Sequence, residues 1–152
     1  MKTLETDIQI DAPPDVVWSI LTDLDSYGQW NPFITRASGS VEVGETLEIS
    51  ISPPGSKPMT FKPRVKSAAK DTTFNWLGHF LFPGIFDGEH VFKIVAHERG
   101  CLFIQKENFG GILVPLAWRG IERSTRAGFL SMNNALKQRA EHFAAQQTNE
   151  QH

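Results

Sequence analysis

The sequence predicts an α+β domain in the order opening strand, two short helices, about six further antiparallel strands, and one long C-terminal helix. Three observations carry that expectation. An apolar seam with helical spacing runs from about Trp118 to about Phe143, alternating aromatic-rich segments precede it, and turn-forming clusters separate those segments. A helix with a continuous apolar stripe that arrives last needs an apolar face to cover, and the strands before it supply one.

The elements follow in order. Leu4, Thr6, Ile8 and Ile10 alternate with Glu5, Asp7 and Gln9, which describes a half-buried strand from Thr3 to Ile10. Pro13-Pro14-Asp15 then opens a short helix through Val16, Val17, Trp18, Ile20 and Leu21. A second short turn or helix covers Asp23 to Trp30, and Asn31-Pro32 stops it, because a residue before proline is pushed out of the helical region. Strands are expected at Ile34–Ser40, Glu45–Ile51, Met59–Ala68, Thr72–His79, His90–His97 and Leu102–Phe109, about seven in all. In the last helix Trp118, Ile121, Thr125, Phe129, Met132, Leu136, Ala140 and Phe143 step by three and four residues. Arg119, Glu122, Arg123, Arg126, Lys137, Gln138 and Glu141 take the remaining directions, and Pro115 suits the first turn. Gly120 and Gly128 each disfavour the helix by roughly 1 kcal/mol relative to Ala, which points to close approach of a neighbour. One domain spanning residues 1–145, with a frayed tail over 146–152, accounts for the chain.

Composition restricts the function classes. At 152 residues the chain buries an ordinary core without metal or disulfide support, and a lone Cys101 fits a reducing, cytoplasmic setting. A net charge of -2 with interspersed signs gives no basic stripe, so nucleic acid is not an expected partner. No stretch approaches the ~20 apolar residues of a membrane span, and Met1 to Asp11 has no secretory pattern. The five histidines show no HxxxH, HxH or Cys-paired spacing and Gly110-Gly111 is followed by no phosphate-loop lysine, so neither metal nor cofactor is expected. A homodimer is compatible with the sequence.

The element order, together with Ala12-Pro13-Pro14-Asp15-Val16-Val17-Trp18, the stretch Leu24 to Phe33, the segment Phe86-Asp87-Gly88-Glu89-His90-Val91-Phe92, the run Gly110 to Leu116, and Gly128, Phe129, Met132 and Asn133, resembles the SRPBCC superfamily. That group includes START lipid-transfer domains, polyketide cyclases and aromatase-cyclases, and pollen-allergen-like hormone binders. The resemblance covers about Leu4 to Phe143. It implies a helix-grip fold, a curved antiparallel sheet wrapped around the terminal helix with the two short helices closing one end. It also implies an internal cavity for a small hydrophobic molecule.

Strand alternation then identifies the groups that share the inner face. In the last strand Cys101, Phe103, Gln105, Glu107 and Phe109 lie together; in the strand before it His90, Phe92, Ile94 and Ala96 do. A hairpin loop of two residues at Arg99-Gly100, or of four spanning His97 to Gly100, puts His90 and Glu107 on one side. The four-residue loop sets them directly opposite, and the two-residue loop sets them diagonally. An imidazole and a carboxylate on an otherwise apolar face are the residue types of acid–base chemistry, so His90 and Glu107 are the candidate catalytic pair. The candidate ligand-lining set is Trp30, Phe33, Trp76, His90, Phe92, Phe103, Gln105, Glu107, Phe109, Phe129, Met132 and Leu136. The apolar loop Phe80 to Phe86 is expected to fold over the cavity mouth or to contact a partner.

Three functions remain in play. The first is binding or carriage of a lipid, isoprenoid, polyketide or aromatic metabolite. The second is a small cyclase, dehydratase or hydrolase; as an enzyme the chain would be a polyketide cyclase/dehydratase-like lyase. The third is a chaperone-activator-like interaction module working through the Phe80–Phe86 loop. Binding without catalysis is preferred over the other two.

Overall fold

The computed structural model describes residues 1–80 and 82–150. Its strands are β1 (Lys2–Ile10), β2 (Ile34–Ser38), β3 (Glu48–Ile51), β4 (Met59–Phe61), β5 (Arg64–Ala69), β6 (Thr73–Phe80), β7 (Phe86–His97) and β8 (Gly100–Gly110). The helices are α1 (Pro14–Thr22), α2 (Tyr27–Trp30), which follows a single 3-10 turn at Leu24–Ser26, and α3 (Val114–Glu150). Five strands pair in the order β1-β8-β7-β6-β5, and a second group pairs as β2-β3-β4. All the ladders are antiparallel.

The segment expected as one strand, Met59 to Ala68, divides into β4 and β5 at Lys62-Pro63, since Pro63 brings no N–H to a ladder. The chain turns there from one group of strands to the other. The two groups are stitched at that corner: Gly44 N donates to Val65 O, Val65 N to Glu45 O, and Leu47 N to Pro63 O. The helix-grip architecture thus has eight strands, in five and three, bent around α3.

α3 is longer than its apolar seam. It continues through 146–150, where the sequence reading placed a frayed tail, because Ala144, Ala145, Gln146 and Gln147 favour helix; Gln151 and His152 of that tail lie outside the described residues. Phe129, Met132, Leu136 and Ala140 of the seam are fully buried, and Ala144 packs on the core after them. Phe143 is 39% exposed, with the Arg139 guanidinium 5.4 Å above its ring. Trp118, Ile121 and Thr125 are only half-buried. The C-terminal half of the seam is therefore packed solidly on the sheet, and the N-terminal half is not.

Candidate functional site

The β7–β8 hairpin fixes the site. His97 pairs with Gly100, leaving Glu98-Arg99 as the turn, and this register sets His90 directly opposite Glu107. The register is the one expected of the four-residue loop, although the turn itself is shorter, because His97 and Gly100 pair as well. Rows of side chains then cross the inner face of the sheet. One row is Trp76, His90, Glu107 and Leu4; the next toward the α3 N-terminus is Gly78, Gly88, Phe109 and Lys2; the next in the other direction is Phe74, Phe92, Gln105 and Thr6.

These rows meet α3 differently. The row of Phe74, Phe92, Gln105 and Thr6 is covered, with the Gln105 amide donating to Met132 Sδ at 3.3 Å and Asn133 Nδ2 donating to Thr6 Oγ1 at 3.0 Å. The row containing Gly78 and Gly88 has no side chain at two adjacent positions, and a cavity of about 430 Å³ with a wide mouth to solvent, where Met59 and Phe80 are exposed, opens beside it. Its walls are Trp76, His90, Glu107 and Phe109 from the large sheet, and Phe33, Ile34, Ile51 and Phe61 from the small one. Phe80 and Phe86 at the β6–β7 turn, together with Ala117, Gly120, Ile121, Ser124 and Thr125 on α3, complete it. Such a volume suits a small organic molecule.

Five of the candidate lining residues, Phe33, Trp76, His90, Glu107 and Phe109, stand at this cavity. Phe92, Phe103, Gln105, Phe129, Met132 and Leu136 do not; they are fully buried in the packed half, where α3 lies on the sheet. Trp30 is also elsewhere. It lines a separate, more polar cleft of about 270 Å³ with Asp15, Asp23, Arg139 and Phe143, between α1, α2 and α3. Sequence reading missed the contributions of Ile51, Met59 and Phe61, which lie far along the chain, and the α3 turns at Ala117 and Gly120. Gly78 and Gly88, as gaps in an alternating pattern, were the one signal available.

Local structure aims the wall residues. Asn31 Oδ1 accepts hydrogen bonds from Phe33 N and Ile34 N, both at 2.9 Å, and so holds Phe33 inward as the chain leaves α2. Phe33 lies edge-on to Phe129, 5.7 Å between centroids, and over Gly128, where a Cβ would come within 2.3 Å of its ring. At the mouth, Ser56 Oγ donates to Ser124 Oγ at 2.9 Å, and Ser124 donates in turn to Pro54 O at 3.1 Å. This relay ties the β3–β4 loop to α3. On the opposite rim Ile112 N donates to Gly84 O and Leu113 N to Ile85 O, joining the β6–β7 turn to the β8–α3 connection. Gly111, at φ 110°, makes that contact possible, since a Cβ would sit 2.4 Å from Ile85 O. Phe80 and Phe86 of the apolar loop reach the cavity, whereas Phe82 is 72% exposed; Leu81 lies outside the described residues.

The polar end of the cavity is ordered by a chain of buried groups. Asn133 donates to Thr6, Thr6 Oγ1 donates to Gln105 O at 3.4 Å, and Gln105 Nε2 donates to His90 Nε2 at 3.1 Å. Because His90 Nε2 accepts, the neutral ring carries its proton on Nδ1, which lies 3.4 Å from Glu107 Oε2. His90 is 3% exposed, stacked on Trp76 at 5.0 Å between centroids, with Phe129 edge-on at 5.2 Å. Glu107 leans over Gly88, where a Cβ would meet Oε1 at 2.6 Å.

Outside this pair, Asp87 and Cys101 depart from their ordinary pKa values. His79 Nδ1 and Asp87 Oδ1 are 2.6 Å apart, and Asp87 also accepts from Gly84 N, so the hydrogen bond from His79 holds the Asp87 carboxyl below its ordinary pKa. Burial pushes the Cys101 thiol up to about 11. Among the described residues no cluster of three His, Cys, Asp or Glu is arranged to hold a metal ion, and no helix is long and apolar enough to cross a membrane.

Residues 1–141 match the family described as polyketide cyclase / dehydrase and lipid transport. The chain belongs to that family. Solved structures agree in fold. The aromatase/cyclase ZhuI from Streptomyces sp. R1128 is 15% identical over 92% of this chain and 93% of its own, with a TM-score of 0.74. A START superfamily protein from Mycobacterium smegmatis is 18% identical over 93% and 98%, with a TM-score of 0.73. The di-domain ARO/CYC StfQ from the steffimycin biosynthetic pathway is 13% identical with a TM-score of 0.76; the match covers 94% of this chain and 51% of StfQ. No curated protein matches the sequence.

Proposed function

We propose that this polyketide cyclase / dehydrase and lipid transport family member binds a small hydrophobic molecule in the cavity between the sheet and the N-terminal half of α3. The observation that carries the reading is the cavity itself: about 430 Å³, walled mainly by aromatic and aliphatic side chains, with one polar end. A core that merely filled itself would bring side chains into the row of Gly78 and Gly88. Native mass spectrometry of the protein purified from cells tests this; a retained mass of a few hundred daltons, lost on denaturation, is the expected result. A protein that neither retains a mass nor takes up any apolar probe overturns it.

A second reading, cyclase or dehydratase chemistry, is favoured by the placement of Glu107 and His90 at the cavity wall, 3.4 Å apart. Here Glu107 accepts the proton from a substrate carbon or hydroxyl, and His90 steadies the carboxylate through Nδ1–H. Turnover of an enolisable aromatic precursor that disappears in Glu107→Gln, while uptake of a purely apolar probe is kept, would distinguish it from carriage.

A further inference from the structure

We propose that the cavity selects ligands whose inner end donates a hydrogen bond, such as a phenol, an enol or an alcohol, and rejects ligands that end in a carboxylate, with Glu107 as the selecting group. The inference rests on the binding function proposed above and adds the chemistry of the head group.

Three observations converge on it. Among the described residues the only N–H turned toward a Glu107 oxygen is that of His90 Nδ1, at the long distance of 3.4 Å, and no short hydrogen bond reaches either oxygen. The Glu107 side chain is 17% exposed, and it opens onto the cavity. A carboxylate so far withdrawn from water gains from a donor brought to it. Second, none of the described cavity-lining residues is a Lys or an Arg, and the His79 imidazole at the rim is already paired with Asp87 at 2.6 Å, so an anionic head group beside Glu107 would find no unpaired counter-ion there. It would instead meet a like charge in surroundings that screen poorly. Third, the polar chain behind the site is directional. The Gln105 amide donates to His90 Nε2, which is therefore the acceptor, so the one N–H of the ring is turned toward Glu107 and is not offered to a guest anion. Of the hydroxyls along the α3 side and the mouth, Ser56 is engaged with Ser124 and Thr60 with Ser50 at 2.8 Å, which leaves Thr125 on α3 as the one lining hydroxyl among the described residues without a side-chain partner. The end of the cavity therefore presents an acceptor.

Gly88 is part of the device. Its missing side chain lets Glu107 lie down over the strand, with Oε1 2.6 Å from where a Cβ would be. The carboxylate is thereby set at the gap in the sheet.

The test uses three naphthalenes of nearly equal size, 2-naphthol, 2-naphthoate and 2-methylnaphthalene, with affinities read at pH 7 from quenching of tryptophan fluorescence, Trp76 being in the cavity wall. In the wild-type protein 2-naphthol should bind about tenfold or more tightly than 2-naphthoate, and more tightly than 2-methylnaphthalene, the range expected of a hydrogen bond to a charged acceptor. Glu107→Gln should reduce the naphthol-to-naphthoate ratio to within about threefold. Binding of 2-naphthoate as tight as 2-naphthol, or a ratio unchanged by Glu107→Gln, overturns the head-group selection and leaves cavity binding standing. Failure of all three probes to bind overturns both. The wild-type comparison is decisive even if the variant folds poorly.

Discussion

Gly78 and Gly88 face one another across the β6–β7 ladder, one position beyond Trp76 and His90, and their paired lack of side chains clears the floor of the cavity. On either side of them the sheet is paved with large groups, including Phe74 and Phe92 in the packed half and Phe80 and Phe86 at the rim. A substitution at Gly88 therefore acts on the site before it acts on the fold. Gly88→Ala displaces only the flexible end of Glu107, so stability should change by no more than about 1 kcal/mol. Thermal melting should show a near-normal transition, while 2-naphthol affinity falls several-fold because the carboxylate has left its place.

The two halves of the α3 seam should respond unequally to truncation. Phe129 is fully buried between Phe33 and His90, and Phe129→Ala should cost about 3–5 kcal/mol. Ile121 already borders open space, and Ile121→Ala should cost about 1 kcal/mol or less. Urea unfolding of the two variants checks the difference; equal losses would mean that the N-terminal half of the seam is packed as tightly as the C-terminal half.

Gly128→Ala should destabilise by about 1–3 kcal/mol in spite of alanine's better helix propensity, since the new methyl meets the Phe33 ring at 2.3 Å. Phe33 can yield only toward the cavity. Ligand capacity should fall with stability, and paired calorimetry and probe binding would show whether the two losses go together.

The Asp87 carboxyl gives a pH dependence of known sign. Its pKa in the folded chain is depressed, chiefly by the hydrogen bond from His79, so its contribution to stability is present above the ordinary carboxylate value of about 4 and is lost as pH falls through the lower folded value. Asp87→Asn should flatten the acid limb of the stability curve below about pH 4 relative to wild type. The Gly84 amide, which donates to Asp87, should lose hydrogen-exchange protection in the same variant.

Cys101 is buried, and its thiol stays protonated well above neutral pH, with a pKa of about 11. Ellman's reagent at pH 8 should label it no faster than the protein unfolds, and at once in denaturant. Rapid labelling of the native protein would contradict the packing of β8 against β1.

Much of this was legible in the sequence, for a definite reason. Alternation assigns a face to every strand residue, so His90 and Glu107 could be put together once the hairpin loop was bounded. Alternation does not say how far along that face the helix reaches. Phe92, Phe103 and Gln105 share the inner face with the cavity residues, yet they sit in the packed half, as Phe129, Met132 and Leu136 of α3 do. Depth along a strand is a tertiary quantity, set by where α3 crosses. The division at Pro63 was readable from proline's missing donor, while the inward turn of Ile51 and Phe61 depends on the corner stitched between Gly44–Leu47 and Pro63–Val65. Trp30 shows the limit from the other side: its neighbours Asn31 and Phe33 direct the chain inward, while the indole itself lies edge-on to Tyr27 and faces the second cleft.

The uneven packing of α3 gives its two halves different mutational freedom. Turns from Phe129 to Ala140 anchor the domain, and those from Ala117 to Thr125 border the cavity and carry less of the core. Mutations in the latter stretch can accumulate at small energetic penalty, so new specificities are within reach by drift through Ala117, Gly120, Ile121 and Thr125 alone. A library confined to those four codons should stay folded across most of its members and differ chiefly in what it captures.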